Sequence, residues 1–355
     1  MPVATINEKG TQFFYEDSGI PAGSSVYTTV VILHGTSYHL GTFRRLIPYA
    51  AQHNLRLVLV NRRDYPGSSP TSPDELGKLA SPDKDVQAEG MKDMGLEIAA
   101  FLEWYIKNQD VPRLSRSRVE GEHDSGGVSL LAWSSGNATS LPMLAHVDKL
   151  SEESKTFLAG YLRTFVIYDA PLYVLGIPDP PNLYHPLKDQ SRPMEDRIPI
   201  FNTWVSSYYS HPSLSSRSLS GLSQYPPPNP LPSKIPTAAR ISPTEMSEIT
   251  YPQAVLRAES FVRYLNPQVY HENMRRCVCD EEVGSVLGEW KVVQIWCKES
   301  ILETAWGAFE VERMVEEYKK SGGKGREYEV REMDGNHFAH WDQPEETMRF
   351  FASVV

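Results

Sequence analysis

Residues 130–140 read LLAWSSGNATS: an apolar run, two adjacent serines, a glycine, then residues that can carry a helix. The fold turns on whether one of those serines sits at a strand-to-helix turn as a nucleophile. In such a turn the serine is held in a strained backbone conformation above the end of a sheet. The side chains two residues before and two after it crowd together, so both must be small. Around Ser134 those positions are Ala132 and Gly136; around Ser135 they are Trp133 and Asn137, and an indole there clashes. Ser134 is therefore the candidate nucleophile. Ser135 matters through its backbone N–H, which at the start of the helix can donate to an oxyanion. The alternative for either serine is a plain helix N-cap.

Outward from this stretch the chain alternates. VVILHG (30–35), LRLVLVN (55–61), GVSLLAW (127–133), RTFVIYD (163–169) and KVVQIWC (291–297) are apolar, β-branched runs that read as strands buried on both faces. Helical spacing follows in FRRLIPYAAQHN, in GMKDMGLEIAAFLEWYIKNQ, in ATSLPMLAHVDKL and in ETAWGAFEVERMVEEYKK. ATINEKG and TQFFYEDSG, divided at Gly10, read as two antiparallel strands. REYEVREM is the last strand and PEETMRFFASVV the last helix. The polar, Pro- and Ser-containing stretches 64–85 and 111–126 are expected to be loops. Strand and helix in alternation argue for an α/β fold with a mostly parallel sheet covered on both faces. The alternation breaks after residue 170. Most of the prolines, including QYPPPNPLP, lie in 171–240, and helical character returns only over 243–284. Three parts follow: a first core segment 1–170, an insertion 171–288, and a second core segment 289–355.

Bulk properties exclude several classes. The formal net charge of -10 argues against general nucleic-acid binding. Three cysteines, Cys277, Cys279 and Cys297, are too few and too uneven for a disulfide framework, and the C-x-C pair lacks the partners of a zinc site. The amino-terminal stretch has no apolar core of a signal peptide, and no run is long enough to span a membrane. The expectation is a cytoplasmic protein without a membrane span.

A serine nucleophile needs a base. His337, in MDGNHFAHWDQP after the last strand, lies where a loop reaches the same sheet edge as the Ser134 turn. His340 is its rival, but it precedes Trp341 and reads as a packing residue. His34-Gly35-Thr36 ends the strand VVIL, and a backbone N–H in the following loop, assigned to Thr36, can complete an oxyanion hole with that of Ser135.

Together the Ser134 turn, LHGT at 33–36, NRRDYPGSS at 61–69 and GNHFAHWDQPEET at 335–347 resemble the α/β-hydrolase fold family, over roughly residues 6–170 and 290–353. NRRDYPGSS is similar to the family's D-x-R-G-x-G-x-S stretch, with Asn61 and Asp64 departing from it. That version, with the Pro-rich insertion, is similar to hydrolase-like proteins of fungi. The resemblance implies an eight-stranded sheet, a cap over 171–288 inserted after the sixth strand, and triad residues in the order Ser, acid, His. The acid is the open member. The family's usual aspartate follows the seventh strand, where this chain has Trp296-Cys297-Lys298-Glu299-Ser300, so that Ser300 stands in its place, Glu299 one residue early and Glu303 further on. Some members place the acid after the sixth strand. Asp169, in YDAPLYVLG, resembles the acid-x-Pro arrangement of certain lactone-hydrolysing members and is preferred, with Glu299 the alternative. Its role is to orient His337.

The expected activity is hydrolysis of an ester or lactone through an acyl-enzyme on Ser134. The aromatic, Pro-rich insertion favours a hydrophobic or aromatic small molecule, although those aromatics can equally form the insertion's own core. No metal or organic cofactor is implied, and a homo-oligomer is left open. Two other readings stand: acyl transfer, cyclisation or C–C cleavage at the same site, and a non-catalytic small-molecule-binding member of the fold.

Overall fold

The computed structural model describes residues 2–117, 124–288 and 290–355. Eight strands form one sheet: β1 (Val3–Thr5), β2 (Gln12–Asp17), β3 (Thr28–Leu33), β4 (Leu55–Val60), β5 (Val128–Trp133), β6 (Leu162–Tyr168), β7 (Lys291–Cys297) and β8 (Tyr328–Met333), in the spatial order β1-β2-β4-β3-β5-β6-β7-β8. β2 pairs antiparallel with both β1 and β4, and every pair from β4 through β8 is parallel. This is the mostly parallel α/β sheet that the alternating runs led one to expect, with the eight strands that the family resemblance implied.

The side chains of the central strands alternate between two cores, as the two-residue period of a strand requires. Val31, Leu33, Leu130 and Ala132 face one core with Phe101 and Leu102 of the helix Lys84–Asn108 and Leu141 of the helix Asn137–Ala145. Val30, Ile32, Leu131 and Trp133 face the other with Phe43, Leu46, Met348 and Phe351. Both faces are covered, so the strands read as continuous apolar runs. The two helices on the first face cross so closely that a Cβ on Gly95 would stand 2.4 Å from the Met143 nitrogen.

Three local expectations change. The helix expected over FRRLIPYAAQHN is a broken series, a 3-10 turn at Leu40–Leu46, an α turn at Ile47–Ala50 and a 3-10 turn at Ala51–His53. The expected loop 64–85 contains the helix Pro73–Leu79. Ser72 and Glu75 cap it reciprocally and Pro73 opens it, so the Ser-Pro-Asp-Glu composition that suggested a loop is a helix start. The loop expected over 111–126 is described only at its ends, where Ser115 and Ser125 form an isolated bridge; residues 118–123 lie outside the described residues.

Between β6 and β7 the chain forms short helices and 3-10 turns, several opened by proline, as at Pro243, Pro252 and Pro267. The helix Pro267–Val278 puts Tyr270, Met274 and Cys277 into the first core. Tyr184, His185, Phe201, Trp204 and Tyr209 pack on one another as neighbouring rings within the segment. No helix among the described residues is long and apolar enough to cross a membrane, and no group of three or more His, Cys, Asp or Glu among them could hold a metal ion.

Candidate active site

β5 ends at Trp133, and the next residue, Ser134, has a φ of +54°, a conformation that costs an L-residue energy unless its surroundings impose it. A 3-10 turn, Ser134–Gly136, leads into the helix Asn137–Ala145. The small flanking residues are needed on steric grounds. A Cβ on Gly136 would lie 2.7 Å from the His34 carbonyl oxygen, and one on Gly35 would lie 2.9 Å from the Ser134 Cβ. Asn137 ties the turn down, its Nδ2 donating to the carbonyls of Ala132 at 2.7 Å and Ser134 at 3.0 Å. Ser134 is buried, with 9% of the residue exposed.

The indole of Trp133 packs edge-on against Phe43 with centroids 5.7 Å apart, and lies 4.8 Å from the His337 ring. Its Nε1 donates to the His337 carbonyl at 3.1 Å. One side chain from the serine turn thus supports the histidine loop. That loop turns at Gly335, whose φ is +111°, and Asn336 anchors it by donating to the Ser206 carbonyl (2.7 Å) and Thr237 Oγ1 (2.9 Å).

Asp169 follows β6 and is fully buried. It too has a left-handed backbone, φ +47°, and its N–H donates to the Ile295 carbonyl at 2.7 Å. Oδ2 lies 2.5 Å from His337 Nδ1 and accepts from Ser300 Oγ at 2.6 Å, while Oδ1 accepts from the Cys297 N–H at 2.8 Å. The carboxylate therefore has three donors and no contact with water, the condition under which a buried charge is tolerable. Glu299 is placed elsewhere. Its carboxylate, one-third exposed, pairs with Lys234 at 2.6 Å. Glu303 is buried 3.8 Å from His185, and burial pushes its carboxyl up. Ser134 and His337 share no hydrogen bond with each other. His340 is stacked on Phe43 at 4.4 Å and sits 3.4 Å from both Thr42 Oγ1 and the Tyr168 hydroxyl; burial holds its pKa well below the ordinary histidine value.

Thr36 and Ser135 are adjacent across the Ser134 turn, with Thr36 Oγ1 donating to Ser135 Oγ at 2.7 Å. Their backbone N–H groups meet no acceptor among the described residues. His34 is buried, and burial, reinforced by the Arg62 charge, holds its pKa well below the ordinary value. The neutral ring donates from Nδ1 to the Gly35 carbonyl (2.9 Å) and accepts at Nε2 from the Arg62 N–H (3.1 Å), so it braces the turn. All three cysteines are buried, with the Cys277 thiol pushed up to about 12 by desolvation.

Sequence reasoning did not assign Ser300, Trp133 or Asn336 a part in this site. Ser300 was visible only as a missing aspartate; that it donates to an aspartate from another strand is a contact across β6 and β7. Trp133 carried no pattern of its own; Gly335-Asn336 marked a tight, exposed turn before His337, and the turn is there but His337 is buried.

The model of the alpha/beta hydrolase family matches residues 30–350. Among solved structures, an esterase from Exiguobacterium antarcticum aligns with a TM-score of 0.54 at 14% identity, covering 99% of this chain and 98% of that one. A carboxylesterase of the ammonia-oxidizing thaumarchaeon Nitrososphaera gargenis aligns at 0.52 and 13%, with the same coverage. No curated protein matches the chain in sequence. At such identities the likeness is one of fold. The family match spans the sheet from β3 to β8 and the loops that carry Ser134, Asp169 and His337, and on it the chain belongs to the alpha/beta hydrolase family.

Proposed function

We propose that this protein is a serine hydrolase that cleaves an ester or lactone of a hydrophobic or aromatic small molecule. The observation that carries the reading is the buried Asp169–His337 contact of 2.5 Å beside a serine in a positive-φ turn. A paired carboxylate and imidazole at the end of the sheet hold Nδ1 protonated and leave Nε2 as the base. Ser134 Oγ attacks the carbonyl as His337 takes its proton, and the tetrahedral oxyanion is held by the N–H groups of Thr36 and Ser135. His337 then protonates the leaving oxygen, activates a water, and the acid departs as Ser134 is regenerated. Ser134 and His337 draw within hydrogen-bonding reach in the substrate complex, as apo sites often require. Residues 171–288 act as the cap between two core segments, 1–170 and 289–355, and the protein works in the cytoplasm on small molecules rather than nucleic acid.

The test is turnover of a p-nitrophenyl ester and labelling by a fluorophosphonate. Ser134→Ala is expected to lose both while its circular dichroism spectrum and melting curve stay those of the parent. A variant that keeps wild-type turnover rules the mechanism out.

A further inference from the structure

The stretch 61–69 departs from the family pattern at Asn61 and Asp64, and its side chains play no part in the steps above. In the structure they face two ways. Toward the sheet they hold the turn that carries Thr36. Arg62 Nη2 donates to the Gly35 carbonyl at 2.9 Å, and the Ser37 N–H donates to the Tyr65 hydroxyl at 3.0 Å. The residues on both sides of Thr36 are thus fixed by Arg62 and Tyr65, whose side chains are buried. Toward the insertion, the same two side chains converge on one carboxylate oxygen, Glu259 Oε1. Tyr65 donates to it at 2.9 Å and Arg62 pairs with it. Glu259 lies in the helix Ala258–Arg263, and only 11% of its side chain is exposed. Two residues earlier Arg257 pairs with Asp64, the departing residue, with the polarity reversed. Core and insertion are therefore joined by reciprocal ion pairs, of which only Arg62–Glu259 leads on to the Thr36 turn.

We propose that Glu259 is a positioning residue that couples the docked cap to the oxyanion site, holding Arg62 and Tyr65 so that they hold the Gly35 and Ser37 peptide groups and aim the Thr36 N–H. This rests on the serine-hydrolase reading. Both side chains of the Arg62–Glu259 pair are almost wholly shielded from solvent.

The experiment compares Glu259→Ala, Glu259→Gln and Arg257→Met in the full chain with a p-nitrophenyl ester, a boronic acid that places a charged oxygen in the oxyanion site, and thermal melting. Glu259→Ala is expected to lose kcat by about 10- to 100-fold, less than or near the loss of a whole oxyanion donor, with KM little changed. Its affinity for the boronic acid falls by the same factor as kcat/KM. Glu259→Gln, which keeps the shape and can still accept both hydrogen bonds, recovers part of the loss and covers the case in which the alanine variant does not fold. Arg257→Met cuts the neighbouring pair and is expected to leave kcat near that of the parent. Unchanged kcat in a folded Glu259→Ala overturns the proposal. So do equal kcat losses in the Arg257 and Glu259 variants, which would make both mere ties for the cap. An unreactive parent protein instead removes the serine-hydrolase reading, and the proposal with it.

Discussion

At the scale of single residues the carboxylate proposed to orient His337 is the instructive case. Two carboxylates competed for the role, and the structure separates them by their partners: Asp169 touches His337, whereas Glu299 faces Lys234. The expected outcome is a split between two isosteric changes. Asp169→Asn is expected to lower kcat on an activated ester by about 10³- to 10⁴-fold, because an amide favours the wrong imidazole tautomer. Glu299→Gln is expected to leave kcat near the parent value. The reverse order moves the acid to the loop after β7. Ser134, Ala132 and Gly136 were legible because a steric rule applies to neighbours in the chain. Asp169 was preferred over Glu299 only through the family resemblance, since its partners at 295, 297, 300 and 337 are far away in the chain.

At the scale of elements, two glycines with opposite surroundings test whether the serine turn is a steric construction. Gly136→Ala puts a Cβ 2.7 Å from a backbone carbonyl that cannot yield without shifting His34 and Gly35. It is expected to cost about 1–3 kcal/mol by overpacking and to reduce ester turnover as well. Gly77 is an exposed position in the helix Pro73–Leu79, with nothing within 4 Å of an added Cβ. Gly77→Ala is expected to raise stability by about 0.5–1 kcal/mol and leave turnover alone. Urea denaturation followed by tryptophan fluorescence checks both signs. The element that escaped sequence reading, Pro73–Leu79, shows how local composition misleads: Ser, Pro, Asp and Glu mark loops and helix starts alike, and only a following turn of helix tells them apart.

For the whole molecule the buried histidines set an acid limit. His34 and His340 are fully buried, and burial holds each well below its ordinary pKa. Above about pH 6.5 both are neutral folded or unfolded, and neither affects stability. Below it the unfolded chain binds protons that the folded chain refuses. Stability then falls as pH drops, by about 1.4 kcal/mol per pH unit for each histidine, until the folded pKa is reached. Urea midpoints measured from pH 7.5 to 5 are expected to decline below pH 6.5, and His340→Phe to decline less steeply than the parent. A variant whose slope equals the parent's would show that His340 protonates freely in the folded state. The insertion belongs to this scale too, since its ties to the core, Arg62–Glu259 and Asp64–Arg257, join segments nearly 200 residues apart.

The sequence by itself determined the α/β class and the strand runs of the sheet, and it put forward Ser134 over Ser135 and the loop of His337 as candidates. Each of these follows from periodicity or from steric limits among near neighbours, which chain order alone expresses. Tertiary structure decided which carboxylate meets His337, what the missing aspartate at Ser300 became, and what the unusual Arg62-Arg63-Asp64-Tyr65 stretch holds. Those answers depend on hydrogen bonds and ion pairs between strands and loops that are distant in the chain. Their directions are set only when parallel strands bring several loops to one edge of the sheet.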